Sequence, residues 1–400
     1  MKHLPGLKLT LLSVLAVFVV SGGGLATITA WQDSLTIGGV TVTSGDGWGS
    51  SHRFTQISAG ANHTVAIDTD GAAWAWGQSD KGQLGDGTTT NSNTPVKVSG
   101  GHQFTQISAG LYHTAALDDK GDTWAWGDNS YGQFGDGTTT NSTTPVQVAG
   151  GHEFRQIAAG SWNTAAIDDT GDAWVWGTGG SGSLGNGTTV EYSSIPVKVS
   201  GGHKFTQISV GTWYMVAIDT NGDAWAWGWN DSGQLGNGTT TNSLTPVKVA
   251  GGHKFAQISA GNSHTAAIDD TGDAWVWGQN KYGQLGDGTT TDRHTPIKVL
   301  GGHKFTKISA GFYHTVAIDT TEKAWAWGWN GYGQLGDGTT TDRPTPVKVS
   351  GGHKFKQISA GFCHTIAIDS QNQIWAWGNN GNGQLGDGTN TDRRTPVKVS

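Results

Sequence analysis

FTQISAGANHTVAIDTDGAAWAWGQSDKGQLGDGTTTNSNTPVKV, residues 54 to 98, recurs with small changes until the chain holds seven copies in 400 residues. The later copies begin at Phe104, Phe154, Phe205, Phe255, Phe305 and Phe355, fifty residues apart except for a single-residue insertion near Tyr192. A fixed period of this length marks an array whose repeats are supersecondary units, none able to bury its apolar face alone. Residues 54 to 400 are therefore expected to fold as one body, although the length alone suggests two or three domains.

Four extended runs, FTQISA, HTVAID, AWAWG and PVKV, are separated by turn signals within one copy. Four short strands per repeat describe a propeller blade. Asp68-Thr69-Asp70-Gly71 turns the second strand into the third, with Gly71 supplying a positive φ. The last copy has Asn372 at this position, and Glu322 in the sixth breaks the rule without a reason in the sequence. Alternation puts Trp74 and Trp76 on one face of their strand, where a neighbouring blade covers them. The pair recurs in every copy to Trp375 and Trp377, and all fourteen indoles are read as core. Pro95 and Lys97 mark the fourth strand as the exposed outer edge. No PVKV precedes Phe54, and Pro396 to Val399 close the chain. The C-terminal strand is thus expected to complete the first blade and shut the ring.

Gly60, His63-Thr64, an apolar strand, a turn, Trp74-Ala75-Trp76-Gly77 and then Gly82-Gln83-Leu84-Gly85 form a pattern that resembles the regulator of chromosome condensation repeat family. All seven copies carry it, some with a substitution or two, over residues 54 to 400. Kelch-type blades share a Gly-Gly doublet such as Gly100-Gly101, but their spacing does not fit the tryptophans or Gly-Gln-Leu-Gly. The resemblance implies an all-β, seven-bladed β-propeller with four antiparallel strands per blade. It does not transfer one function. The family's founding member acts in the nucleus on a small GTPase and on chromatin, whereas secreted bacterial propellers that this chain resembles, among them a β-lactamase-inhibiting type, present loops to a protein partner. No motif residue that contacts those partners can be matched onto this sequence.

A net charge of −7 and a pI near 6.0 give no basic field that would draw in nucleic acid or an anionic membrane. Cys363 is the one cysteine, which excludes an intrachain disulfide and any multi-cysteine metal site. Lys2 and Lys8 precede an apolar run from Leu9 to Val20, and Ser21, three glycines and Ala26 follow. Residues 1–30 read as a cleaved signal peptide, and the uncharged stretch to Trp31 is also long enough for a retained membrane anchor. Either reading makes the propeller secreted or cell-surface. Residues 31–53 do not match the repeat; Leu35 to Thr43 alternates like one strand, an extra edge strand or a tether. Such a chain is also expected as a piece of a larger surface protein.

Differences between copies concentrate at two places. The pair before the His position reads Ala61-Asn62, Leu111-Tyr112, Ser161-Trp162, Thr212-Trp213, Asn262-Ser263, Phe312-Tyr313 and Phe362-Cys363, and the stretch after Trp-Gly adds Tyr131, Trp229, Tyr282, Trp329 and Tyr332. Both loops emerge at one end of an up-and-down blade. Tyr112, Trp162, Trp213, Tyr214, Trp229, Tyr282, Phe312, Tyr313, Trp329 and Tyr332 are therefore the candidate binding residues of an interaction module. The expected partner is an extracellular or envelope protein. A cell-wall glycan stacked on exposed indoles is the alternative, and nucleotide exchange on a GTPase is disfavoured by the export signal. The chain is expected to act as a monomer, without cofactor, metal or catalysis. Five histidines at one repeated position, His63, His113, His264, His314 and His364, give way to Asn163 and Tyr214 in the other two copies, which suits loop hydrogen bonding. Cys363 and His364 are neighbours on a strand and point apart. The Asp-x-x-Gly turns lack the spacing and terminal Glu of a calcium loop.

Overall fold

The computed structural model describes residues 52–400, together with the backbone of four short strands in the first 51. Of these four, Ser34–Ile37 and Val40–Thr43 pair antiparallel as a two-stranded sheet of their own, Leu35 opposite Val42. The stretch read as a single strand is thus a hairpin, and the Gly38-Gly39 doublet between its β-branched halves is the sequence signal for it. Val19–Val20 and Gly24–Leu25 pair in the same way. Beyond that backbone, the segment read as a signal peptide or anchor lies outside the described residues. Among the described residues no helix is long and apolar enough to cross a membrane.

Residues 52–400 form one compact unit of seven four-stranded antiparallel sheets, each built from one contiguous repeat. Blade 1 runs Phe54–Ala59, His63–Asp68, Ala73–Gly77 and Ser92–Lys97, and blades 2 to 7 begin at Phe104, Phe154, Phe205, Phe255, Phe305 and Phe355. The first strand is innermost. Serines of these strands line a central cavity of about 190 Å³, and the fourth strand is the exposed outer one.

Closure differs from the expectation. Arg393–Lys398 pairs with Ile374–Gly378 of its own repeat, and blade 1 has its own fourth strand, Trp74 opposite Lys97. The long loop after each third strand returns the chain antiparallel onto that strand, so every strand of residues 52–400 is paired within its own repeat. Blade 7 meets blade 1 by the same packing that joins every other pair. Gly388 N donates to Asn93 O (3.0 Å), Ala59 N to Ser359 Oγ (3.0 Å) and Thr64 Oγ1 to Gln384 O (2.8 Å).

The second tryptophan of each blade explains this packing. Trp126 is fully buried against Val65, Ile67, Ala75 and Leu84 of the preceding blade, and its Nε1–H donates to Gln83 O at 3.0 Å. Thr114 Oγ1 donates to the same carbonyl (3.1 Å). Each residue of Gly-Gln-Leu-Gly then has a reason. Gly82, at φ +83, would place a Cβ 2.7 Å from Thr143 Cα, and Gln83 accepts Lys81 N on its side-chain Oε1 (2.9 Å) while its backbone offers the carbonyl. Leu84 fills the core, and Gly85, at φ +72, lies so close that a Cβ would stand 2.6 Å from the Trp126 indole nitrogen. The first indoles are placed differently from expectation. Apart from Trp74 they are half-buried, each tied through Nε1 to the turn aspartate, as Trp74 is to Asp68 Oδ2 at 2.8 Å. The same carboxylate accepts the Asp70 and Ala72 amides at 2.9 Å, so the turn aspartates are used internally.

Inner strands would present bare edge amides to the channel. Side chains of the preceding blade cover them: Gln56 Oε1 accepts Ile107 N (2.8 Å) and Ser58 Oγ accepts Ala109 N (3.0 Å), and related bonds recur around the ring.

Glu322 sits at φ +66 where five blades place glycine, a left-handed conformation that costs an L-residue free energy. Glu322→Gly is expected to raise stability by about 0.5–1 kcal/mol after the entropic cost of glycine, read as a higher melting temperature.

The five repeated histidines supply a second prediction. Thr114 Oγ1 spends its hydrogen on Gln83 O, so it must accept from His63 Nε2 (3.1 Å), leaving a neutral ring whose buried Nδ1 has no partner. His113, His264, His314 and His364 repeat the arrangement. Burial lowers their pKa to about 3, or about 4 for His113. The unfolded chain, titrating near 6.5, takes up these protons first. Stability is therefore complete above pH 6.5 and is lost as pH falls towards the folded values, at about 1.4 kcal/mol per unit for each histidine. Urea midpoints should drop steeply between pH 6.5 and 4.5, and His113→Asn should reduce that slope by one proton.

Candidate binding face

Loops after the first and third strands lie together at one end of each blade, joined in blade 1 by Gln78 N to Asn62 O (2.8 Å) and Asn62 Nδ2 to Gln78 Oε1 (3.0 Å). The long loops are rigid. In blade 4, Asn230 Oδ1 accepts Leu235 N (2.9 Å) while its amide donates to Thr239 O and Thr241 O (3.0 Å each), and Asn242 Oδ1 accepts Asn230 N (2.8 Å). Asn280, Asn330 and Asn380 repeat this pattern. A side chain mounted here is held in place, which lowers the entropy cost of using it for binding.

The two positions of each variable pair have different places. Ala61, Leu111, Ser161, Thr212, Asn262, Phe312 and Phe362 ring the mouth of the central cavity, whose volume is below that of typical small-molecule pockets. The second positions lie farther out. The aromatics form three separate groups. Across blades 5 to 7, Phe312 packs on Phe362 (centroids 3.8 Å) and on Tyr313 (4.5 Å), Tyr313 on Tyr282 (5.1 Å), and Trp329 on Tyr332 (5.5 Å). Across blades 2 and 3, Trp162 touches Tyr112 (5.9 Å) and Tyr131 (5.5 Å). In blade 4, Trp213 meets Trp229 edge-on at 5.9 Å. Trp213 is 40% exposed and adopts φ +63, a strained backbone that holds a large apolar side chain at the surface.

Tyr214 does not belong to this face. It is fully buried, donates to His264 O (2.6 Å), shares a hydroxyl contact with Thr265 (3.3 Å), and burial raises its pKa. It stands in for the histidine that elsewhere latches one blade to the next. Phe362 and Tyr131, absent from the ten candidates, are members of the clusters. Both occupy the variable positions, and that was the signal for them.

Asn163 has a reason in its neighbour. The latch needs a threonine in the following blade, and blade 4 has Met215 there, so Asn163 turns to carbonyls of its own blade, Trp176 O and Thr178 O. Cys363 is buried, and desolvation pushes its thiol up to about 12, far from a thiolate nucleophile at neutral pH. Among the described residues no group of three or more His, Cys, Asp or Glu side chains could hold a metal ion. On the opposite face Asp172, Asp223 and Asp273 each lie between two lysines at 2.7–2.9 Å, so these three carboxylates are matched within the chain.

Asn163→His alone should destabilise the ring by about 1–3 kcal/mol by burying an unpaired imidazole. Met215→Thr added to it should recover at least about 1 kcal/mol as a coupling energy in a double-mutant cycle of denaturation midpoints.

Comparison with known proteins gives a consistent answer about the fold. The human WBSCR16 crystal structure superposes with a TM-score of 0.76 at 19% identity, over 82% of this chain and 94% of that one. Prp20p from Saccharomyces cerevisiae superposes at 0.73 and 21% identity, over 87% of each chain. Yeast RCC1 (Prp20) bound to Kap60 does so at 0.72 and 20%, over 88% and 84%. Among curated proteins, the E3 ubiquitin-protein ligase HERC2 of Homo sapiens is 40% identical over 48 residues, 12% of this chain and 1% of that protein. The HERC2 of Mus musculus matches to the same extent. The RCC1-like domain matches residues 47–251 and 150–400, which together take in all seven blades. This chain belongs to the RCC1-like domain family.

Proposed function

We propose that the chain is a protein-binding module that uses the loop face around the cavity mouth. The observation that carries this reading is the continuous aromatic group of blades 5 to 7, Tyr282, Phe312, Tyr313, Trp329, Tyr332 and Phe362, of which Tyr282, Trp329 and Tyr332 are mounted on loops fixed by asparagine hydrogen bonds. Large aromatics on a rigid support supply most of the binding energy in protein interfaces. Propellers of the same fold are described with protein partners, Kap60 in one yeast structure and Gsp1p and histones in the other. The module works by binding rather than by catalysis, in keeping with the buried thiol of Cys363 and the neutral, buried histidines. Export, with the partner an extracellular or envelope protein, rests on Lys2, Lys8 and the apolar run after them.

The test is a pull-down from the source's envelope and secreted fractions, with the chain beside a variant carrying Tyr282→Ala, Tyr313→Ala, Trp329→Ala and Tyr332→Ala. Both baits must first give the same folded spectrum. A partner held by the unaltered chain and lost by the variant is the expected result. The same partner on both baits would move the site elsewhere, and retention of the chain on cell-wall polysaccharide alone would replace protein with glycan. N-terminal sequencing of the protein recovered from each cell fraction checks the export reading.

A further inference from the structure

Charge is distributed unevenly over the aromatic face. In blades 1 to 4 the loops after the third strands carry Asp80, Asp86, Asp128, Asp136, Glu191 and Asp231 against Lys81 alone. In blades 5 to 7 the corresponding loops and the first residues after them carry six acidic side chains against five basic ones. Five of the chain's seven net negative charges therefore sit on one half of one face.

Comparison between blades shows what is missing. In blade 5, Asp287 receives Nε and Nη2 of Arg293 on Oδ2 at 2.8 and 2.7 Å. Arg343 does the same to Asp337 (2.9 and 2.8 Å), and Arg393 to Asp387 (2.8 and 2.7 Å). Asp86 and Asp136 are the same carboxylate in blades 1 and 2. Their Oδ1 atoms accept a threonine amide as Asp287 Oδ1 does, Thr88 N at 3.0 Å and Thr138 N at 2.9 Å. The arginine position, however, is Ser92 or Ser142, and each serine hydroxyl bonds a nearby carbonyl instead. Oδ2 is left with a hydroxyl shared with Oδ1, from Thr88 (3.1 Å) or Thr138 (2.9 Å). In blades 3 and 4 the position is Asn186 or Asn237, and the charge itself is gone. Asp136 lies in the same loop as Tyr131, whose ring stands edge-on to Trp162, and aromatic faces beside carboxylates suit a planar guanidinium.

Resting on the protein-binding reading, we propose that the loops of blades 1 and 2 accept an arginine-bearing segment of the partner. Asp86 and Asp136 take its guanidinium groups as Asp287, Asp337 and Asp387 take Arg293, Arg343 and Arg393. A cationic segment complements the unmatched negative half of the face, while the aromatic group of blades 5 to 7 takes an apolar part of the same partner. An acidic partner or nucleic acid would meet like charge there.

Fluorescein-labelled nonapeptides alternating glycine with arginine, lysine or glutamate are titrated into the full chain and followed by anisotropy. The arginine peptide is expected to bind best, more weakly as salt rises, and the glutamate peptide not at all. Asp86→Asn with Asp136→Asn borrows the residue that blades 3 and 4 hold there, so the fold accommodates it, and should weaken binding at least tenfold. Ser92→Arg with Ser142→Arg should weaken it as much, because the chain then fills its own sites, with an unchanged or higher melting temperature. Unchanged affinity in both double variants, or equal binding of the lysine and arginine peptides, overturns the proposal. In the pull-down, a partner lost by the variant of the blade 5 to 7 aromatics and kept by Asp86→Asn with Asp136→Asn would retain the protein-binding reading and sink this one. The opposite pattern would keep this one and move the apolar contact elsewhere.

Discussion

Everything in the ring hangs on an indole set between two blades. The second tryptophan of each Trp-x-Trp-Gly is grown on one blade and buried in the apolar face of the one before it, with its Nε1–H aimed in most blades at a carbonyl of Gly-Gln-Leu-Gly. One side chain thereby makes both the hydrophobic contact and the directional bond. Indole suits the task because it combines a large apolar area with a donor that must find an acceptor when buried. The glycine that faces the ring cannot gain a Cβ without striking it. Trp76 meets Gly386 in the same way, so the seam between the last and first blades is an ordinary interface.

Around this contact the remaining polar groups form a chain of dependencies. A threonine gives its hydrogen to the carbonyl that the indole also uses, which forces the histidine of the preceding blade to donate from Nε2 and to stay neutral. Loss of that threonine in blade 4 removes the purpose of the histidine in blade 3, and Asn163 is the residue found. Tyr214 restores a link across the next interface by a longer reach. Replacements that look like drift along the chain are paired across an interface in space.

A stiff ring leaves the loops free to vary. Their backbones are tied by asparagine amides and by bonds to the following blade, such as Gly87 N to Thr143 O (2.9 Å), so a changed side chain alters the surface without disturbing the blade. The result is a face whose halves differ: aromatic and charge-matched over blades 5 to 7, acidic and unmatched over blades 1 and 2. On the opposite face Asp172, Asp223 and Asp273 are held in lysine contacts of their own.

Repeat period, strand number, blade count, turn glycines and the outer position of the fourth strand were all legible in the sequence, because each follows from local alternation or from a residue whose backbone preference is strong. The end of the blade that bears the variable aromatics was legible too, since strand direction alone decides it. Closure was not, because the order in which strands pair is set by where the long loop returns the chain, and composition is silent on that. Nor could the sequence separate Tyr214 from Trp213, adjacent residues of which one is sealed between blades and the other stands 40% exposed. The grouping of the aromatics and the missing arginines of blades 1 and 2 likewise emerge only when seven loops are brought to one face. Local residue preferences act along the chain, whereas burial and pairing are settled between segments about fifty residues apart in it.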